Sequence, residues 1–276
     1  MNFRNIAVVF LMGAFFFAIN ATPSFAEPEE GKLTGRQIME KQKELHKVSS
    51  EIEFQKMVLV DKSGTKETRD VRRYIQEQEE VDVYRSLIVF LQPSDIKGTA
   101  LLNWQHKDQS DDQWLYLPAQ GKMQRIAKGG GRNYFMGTDF TYEDMQSEEF
   151  DDYKYTLLKE EPFADEGDCY VVEAIPATKE KERGSGYSKR IMWLRKDIFM
   201  TVKVDFYGRR KKLIKTQTNS ALENVKGTIW RAKKTLMDNF KVKHKTAIMV
   251  VKREVNEEIP AKTFTERFIL KGEHTQ

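Results

Sequence analysis

From Glu51 onward the chain breaks into short runs of aromatic and β-branched residues separated by charged turn clusters, a texture that predicts successive antiparallel strands. The clearest run is 200–207. There Met200, Val202, Val204 and Phe206 alternate with Thr201, Lys203, Asp205 and Tyr207, and the turn at Tyr207-Gly208-Arg209 ends it. Further strands are expected at 52–60, 71–76, 81–91, 113–117, 153–158, 169–174, 189–194, 212–218, 228–237 and 246–255, about eleven in all.

Three stretches predict helices: 31–48, 141–149 and 260–270. In the first, Thr34 caps the start, and Ile38, Gln42 and Leu45 fall near one face with Met39 and Val48 beside it. In the second, Thr141-Tyr142-Glu143-Asp144 has the spacing of a capping box, so a short helix should begin just after Phe140.

Several strands lose the polar half of their alternation: Met57-Val58-Leu59-Val60, Leu87-Ile88-Val89-Phe90-Leu91 and Ala247-Ile248-Met249-Val250-Val251. A strand that is apolar on both faces has both faces covered. Two covers remain open, helices on one side with another part of the sheet on the other, or helices on one side with a bound apolar ligand on the other. Three helices are thin cover for so large a sheet. That favours a concave, partly open sheet around an apolar cavity.

The first residues change the compartment. Arg4 precedes an uninterrupted apolar run over 6–19, and Pro23-Ser24-Phe25-Ala26 follows with small residues at Ser24 and Ala26. That is the layout of a secretory leader cleaved near Ala26. The run is shorter than the roughly 20 residues a spanning helix needs. Residues 1–26 are therefore expected to be a signal peptide and 27–276 a single domain working in the periplasm. The only cysteine, Cys169, lies far from the cleavage region, so no thiol there can take a lipid anchor. It also excludes an internal disulfide, and within Asp168-Cys169-Tyr170-Val171-Val172 it reads as a small buried hydrophobe.

Charge is close to balance, with 46 basic and 42 acidic residues in the full chain. Basic residues nonetheless cluster at Arg209-Arg210-Lys211-Lys212, at Lys233-Lys234 and over 241–245. Such clusters suit either a solvated turn or strand face, or peripheral contact with a membrane surface or an acidic partner. No nucleic-acid partner is expected in this compartment.

The usual catalytic patterns are missing. Gly184-Ser185-Gly186 lacks the spacing of a nucleophile elbow. His46, His106, His244 and His274 are scattered without metal-ligand spacing, and His106 beside Trp104 reads as a surface histidine near a turn. Lys128-Gly129-Gly130-Gly131-Arg132 lacks the Lys-Ser/Thr of a phosphate-binding loop and reads as a mobile hairpin connection. The acidic groups Glu148-Glu149-Asp151-Asp152 and Asp165-Glu166-Asp168 match no calcium loop and read as solvated loops. No cofactor and no metal are expected.

Two segments are distinctive. One is Phe90-Leu91-Gln92-Pro93-Ser94-Asp95-Ile96-Lys97-Gly98-Thr99-Ala100-Leu101-Leu102. The other is Gln113-Trp114-Leu115-Tyr116-Leu117-Pro118, followed by Arg125-Ile126 and Phe135-Met136-Gly137-Thr138-Asp139-Phe140-Thr141-Tyr142-Glu143-Asp144. Together they resemble the LolA-like outer-membrane lipoprotein-sorting protein family, in its branch of larger periplasmic members often found alongside inner-membrane transporters. The resemblance covers nearly the whole mature chain. It implies a mainly β (α+β) fold, an unclosed antiparallel β-barrel of about eleven strands covered by a few helices. It also implies that the concave apolar face accepts the acyl chains of a lipid or lipoprotein, with an inner-membrane transporter as a further partner.

An acyl chain of roughly 16 carbons hides about 12 kcal/mol of hydrophobic free energy, so it cannot cross water bare. The aromatic residues expected to line the pocket or its rim are Phe54, Phe90, Trp114, Tyr116, Phe140, Trp193 and Trp230, each of which could equally be ordinary core. Flexible methionines suit a cavity for varied chains, although Met57, Met192 and Met249 also suit simple gap filling. Three functional classes follow: a periplasmic lipid or lipoprotein carrier, a non-enzymatic lipid-sensing accessory module regulating an inner-membrane partner, and, with least support, an enzyme. Partner binding without lipid transfer would mark the second.

Overall fold

In chain order the first half contains helix α1 (Gly35–Leu45) and strands β1 (Ser50–Val60), β2 (Lys66–Gln78), β3 (Val83–Gln92), β4 (Ala100–Trp104), β5 (Asp112–Leu117) and β6 (Lys122–Arg125). The second half contains β7 (Tyr153–Pro162), β8 (Asp168–Pro176), helix α2 (Lys179–Gly184), β9 (Tyr187–Arg195), β10 (Thr201–Gly208), β11 (Leu213–Lys226), β12 (Ile229–Asn239), β13 (His244–Val255) and helix α3 (Glu266–Leu270). These elements come from a computed structural model that describes residues 32–78, 83–107, 109–127, 129–164 and 167–276. The expected leader over 1–26, and Val81, Lys128, Asp165 and Glu166, lie outside the described residues.

The thirteen strands described form one antiparallel sheet in the order β6-β5-β4-β3-β2-β1-β13-β12-β11-β10-β9-β8-β7. Every neighbouring pair is a sequential hairpin except β1 with β13, which joins the two halves of the chain. The sheet is not closed. Its two edge strands, β6 and β7, are consecutive in sequence, and residues 129–152 between them cross the inner side instead of pairing the edges.

Side-chain phase follows from the register. Met57 sits opposite Arg69 and Ile248, and Val71 opposite Phe90. On this inner face Met57, Leu59, Val71, Ile88, Phe90, Leu101 and Leu115 pack with Phe135 and Tyr142 of the crossing segment. Further round, Val172, Met192, Leu194, Val204, Phe206 and Met237 pack with Phe140 and with Ile38 and Met39 of α1. The outer face of β3 to β6 is buried as well. Leu87, Val89, Ala100 and Leu102 lie under Ile259, Phe264 and Ile269 of the C-terminal segment.

This explains the two-sided apolar run at Leu87 to Leu91, since one protein segment covers each face. The other two runs differ. In β1, Met57 and Leu59 point inward while Val58 and Val60 are half-buried outside, and in β13 Met249 and Val251 remain exposed.

The C-terminal segment is locked by specific contacts. Trp104 Nε1 donates to the Phe264 carbonyl at 2.8 Å, and His274 Nε2 bonds the Gly98 carbonyl at 2.9 Å. Gly98 has φ +82°, and a Cβ there would lie 3.2 Å from Thr275 Cγ2 and 3.3 Å from Pro118 Cγ. Glycine alone therefore fits both the backbone and the space in that motif.

Four expectations change. The strand count rises from about eleven to thirteen. β4 was hidden because it is short and buried on both sides, and β6 because it is a polar edge strand. The helix expected over 141–149 is one 3-10 turn at Glu143–Met145. Its capping box does form, with Thr141 N–H donating to Asp144 Oδ2 at 2.6 Å and Asp144 N–H to Thr141 Oγ1 at 3.3 Å, but residues 146–149 run on without helix. The helix expected over 260–270 divides into a 3-10 turn, Ala261–Phe264, and α3. α2, whose sequence KEKERG is polar throughout, has no apolar periodicity to announce it and starts at the Thr178 cap. Gly129 to Gly131 do not join a hairpin. They lead from β6 into the crossing segment through a 3-10 turn, Gly130–Arg132.

Candidate functional site

The interior of the sheet is filled unevenly. Toward one end of the strands, the crossing segment is pinned by a polar network. Asp139 accepts from Thr246 Oγ1 at 2.7 Å and pairs with His244 at 2.7 Å. Asp144 accepts from the Tyr187 hydroxyl at 2.8 Å and from Lys215 Nζ at 2.5 Å. Burial, with the Asp144 charge beside it, pushes the Tyr187 phenol well up.

Toward the other end lies α1. Thr34 and Gln37 complete its capping box, and Gly35 meets β7 so closely that a Cβ would lie 2.7 Å from Leu157 N. The helix then runs across the inner face and is held at its far end. Gln42 accepts from Thr201 Oγ1 at 2.6 Å, Leu45 O from Thr228 Oγ1 at 2.9 Å, and His46 O from Arg231 at 3.0 Å.

Between α1, residues 147–150 and the inner faces of the sheet is a cavity of about 510 Å³. Its apolar lining comes from Met39, Ile75, Phe150, Tyr155, Met192, Met200 and Val204. Its polar lining includes Gln42, His46, Glu51, Gln217, Asn219 and Arg231. The volume falls within the usual range of small-ligand pockets, about 300–1,000 Å³.

The charges in this lining are held by protein partners. Glu51 pairs with Arg231 at 3.0 Å and Arg253 at 2.8 Å, and Arg253 also holds Glu53 at 2.7 Å. Burial raises the Glu53 carboxyl, but the Arg73 and Arg253 charges, with hydrogen bonds from Arg253 and Gln55, bring it down to about 2. His46 is a neutral tautomer by geometry. Its Nδ1 accepts from the Trp230 N–H at 3.2 Å, so Nε2 carries the proton toward Ile198 O at 2.9 Å. Burial lowers its pKa, against the Ile198 hydrogen bond and with help from Arg231. Such a lining offers methionine and aromatic surface to a slender apolar chain, with fixed polar groups at the α1 C-terminal end.

None of the seven aromatic residues expected at the pocket is among the residues lining this cavity. Phe90 is fully buried against Phe135 at 5.6 Å, and Phe140 lies in the core beside α1. Trp114 and Tyr116 lie together on the outer face beneath the C-terminal segment, edge-on to Trp104 at 5.0 Å and His274 at 5.6 Å. Phe54 lies outside between Arg72 and Lys252. Trp193 lies outside under Lys203 at 4.0 Å, with its indole N–H on Glu161. On β12, Trp230 lies opposite Asn224 of β11 and next to inward-pointing Arg231. Of the three methionines considered, Met192 lines the cavity, Met57 is core and Met249 is exposed outside.

The signal for the cavity was the alternation over 200–207, whose face of Met200, Val202, Val204 and Phe206 supplies two lining residues, Met200 and Val204. Cys169 is buried in β8. Among the described residues no group of three His, Cys, Asp or Glu side chains is placed to share a metal ion.

A family model described as uncharacterized protein-like matches residues 82–271. Comparison with curated proteins returned no match. Among solved structures, a domain from Vibrio parahaemolyticus assigned as an outer membrane lipoprotein-sorting protein is 32% identical, with TM-score 0.80 over 86% of this chain and 98% of its own. This chain belongs to the LolA-like outer-membrane lipoprotein-sorting protein family. A DUF1329 family protein from Desulfovibrio piger is 26% identical, with TM-score 0.79 over 85% of this chain and 97% of its own. A LolA superfamily protein from Nitrosomonas europaea shares the fold at 20% identity and TM-score 0.68, over 86% of this chain and all of its own. The LolA-like architecture of an open, mostly β sheet with few helices is therefore that of this chain, here with thirteen described strands.

Proposed function

We propose that this LolA-like chain is a periplasmic carrier that takes the acyl chains of a lipid or lipoprotein into the cavity beneath α1 and moves them between membranes or to and from an inner-membrane transporter. The observation that carries the proposal is the cavity itself, in a chain of a lipoprotein-sorting family. Three methionines, Met39 of α1, Met192 of β9 and Met200 just before β10, line it. Their unbranched side chains adapt to chains of different length and kink. Each methylene transferred from water adds about 0.8 kcal/mol, so retention comes from chain length and no covalent step is needed.

Part of the polar lining, Glu51, Arg231 and His46, lies at the α1 C-terminal end, where it ties α1 to β1 and β12. An amphiphile would lay its chain along the methionine side and keep its polar part near this end. α1 is the element whose displacement would open the space. The leader expected over residues 1–26 would direct export, and no helix among the described residues is long and apolar enough to cross a membrane.

Native purification followed by extraction mass spectrometry tests the reading directly, together with uptake of a fluorescent fatty acid by delipidated protein. Met200→Trp, which fills the cavity from a residue that is not fully buried, should reduce uptake severalfold while leaving the fold intact. A protein that carries no lipid, takes up none, and is indifferent to Met200→Trp would refute the carrier reading.

A further inference from the structure

The hairpins joining β10 to β11 and β12 to β13 end side by side. Phe240 N–H and Lys241 N–H both donate to the Ile214 carbonyl, at 3.0 and 3.3 Å, so the second turn lies against the first residues of β11. Three apolar side chains stand out at these tips: Leu213 is 40% exposed, Phe240 48% and Val242 44%. Around them are Arg209, Arg210, Lys211, Lys212, Lys241, Lys243 and Lys245, all exposed, and residues 209–213 and 240–245 contain no carboxylate. Lys245 pairs with Asp238 at 2.7 Å, and no ion pair joins the other six among the described residues.

Turn chemistry sharpens the point. Lys211 and Lys243 both hold left-handed backbone, φ +57° and +55°, where glycine or asparagine is less strained. Each turn thus places a cation at the position where local folding would select against one.

We infer that these paired tips form a docking surface for the anionic face of a lipid bilayer, with Phe240, Val242 and Leu213 entering the interface while the surrounding cations meet lipid phosphates. Cations alone would serve any polyanion. Apolar side chains projecting among cations fit the layered chemistry of a bilayer surface, anionic outside and apolar just beneath. The cavity residues nearest in sequence on β11, Gln217 and Asn219, are four and six residues from Leu213, so the docked tips sit roughly 13–20 Å along the strand from them. Docking and loading therefore occupy different parts of the molecule, and this inference stands or falls apart from the carrier reading.

Flotation of the purified protein with vesicles of phosphatidylcholine, alone or mixed with phosphatidylglycerol, is the test. Partition should favour the anionic vesicles and weaken with salt. Combined Arg209→Glu, Arg210→Glu, Lys241→Glu and Lys243→Glu should reduce it more than about tenfold. Phe240→Ser should weaken it with all charges present, and Phe240→Trp should show a blue-shifted emission only with anionic vesicles. Urea midpoints of these exposed-tip variants should stay at the parent level, which shows them folded whether or not the cavity takes up fatty acid. Equal partition into both vesicles overturns the inference, as does binding indifferent to the charge reversals. Binding that needs the charges but ignores Phe240→Ser, with no blue shift and equal affinity for heparin, also overturns it and marks a general polyanion surface.

Discussion

Lys215 on β11 and Asp144 in the crossing segment form an ion pair inside the sheet, Nζ to Oδ2 at 2.5 Å, with side chains only 1% and 8% exposed. The same ammonium donates to the Asp139 carbonyl at 3.0 Å and faces the rings of Phe206 and Tyr187 at 4.9 and 5.1 Å. A buried pair of this kind adds little over an apolar pair, yet removing one partner leaves the other charged without compensation. Lys215→Met should therefore cost about 3–5 kcal/mol, or roughly 2–4 °C in Tm for each kcal/mol. Adding Asp144→Asn should recover part of the loss, because the amide needs no counter-charge. Urea unfolding of the two variants measures this, and a single variant within about 0.5 kcal/mol of the parent would show that the pair does not hold the segment.

The C-terminal segment makes a second prediction. Phe264 is fully buried among Leu87, Val89 and Ala100 on the outer face, and its carbonyl accepts the Trp104 indole. Phe264→Ala should destabilise the protein by about 3–5 kcal/mol. The denaturant midpoint should fall accordingly. Because this cap lies on the opposite face of the sheet from the cavity, fatty-acid affinity measured well below the transition should change little.

Where the sequence was legible, one physical pattern dominated locally. Thr34 with a 3.6-residue apolar repeat was enough for α1, and the alternation through Val202, Val204 and Phe206 gave a strand and separated its two faces. The cavity residues were less legible because phase within a strand does not say which face is inside. Trp193 and Trp230 are large and apolar, but each is one residue out of phase with Met192 or Arg231, which point in. Size suggested the aromatics, whereas register selected methionines. Glu51 and Arg231 were invisible for a different reason, since their pairing joins residues 180 apart in the chain and only the β1–β13 closure brings them together.

Gly35 tests the role of α1. A Cβ at this position would lie 2.7 Å from both Leu157 N and Thr156 C, backbone atoms that cannot swing aside. Gly35→Ala should gain up to about 1 kcal/mol of helix propensity but lose about 1–3 kcal/mol to overpacking as α1 lifts from β7. Since Met39, Gln42 and His46 of this segment line the cavity, the same shift should weaken retention of a fluorescent fatty acid. Glu40→Ala, on the exposed face in a surface pair with Arg36, should alter neither property measurably. Unchanged retention in Gly35→Ala would mean that α1 is not the wall that governs binding.

Acid should weaken the fold in two separate windows. His46 and His274 are both held below the ordinary histidine value of about 6.5, chiefly by burial, with Arg231 adding to the effect at His46. For each, the unfolded chain binds a proton more readily than the folded one, so stability is full above about pH 6.5 and falls as pH drops through the folded value, at most about 1.4 kcal/mol per pH unit for each group. Glu53 behaves with the same sign lower down. Its folded carboxyl titrates at about 2, so the stability it contributes is present above about pH 4.5 and is lost between there and 2. Denaturant midpoints measured from pH 8 downward should thus begin to fall near 6.5 and steepen again below 4.5. In His46→Asn the first decline should be shallower while the second is retained. A flat profile between pH 7 and 5 in the parent would mean that neither histidine is held neutral by the fold.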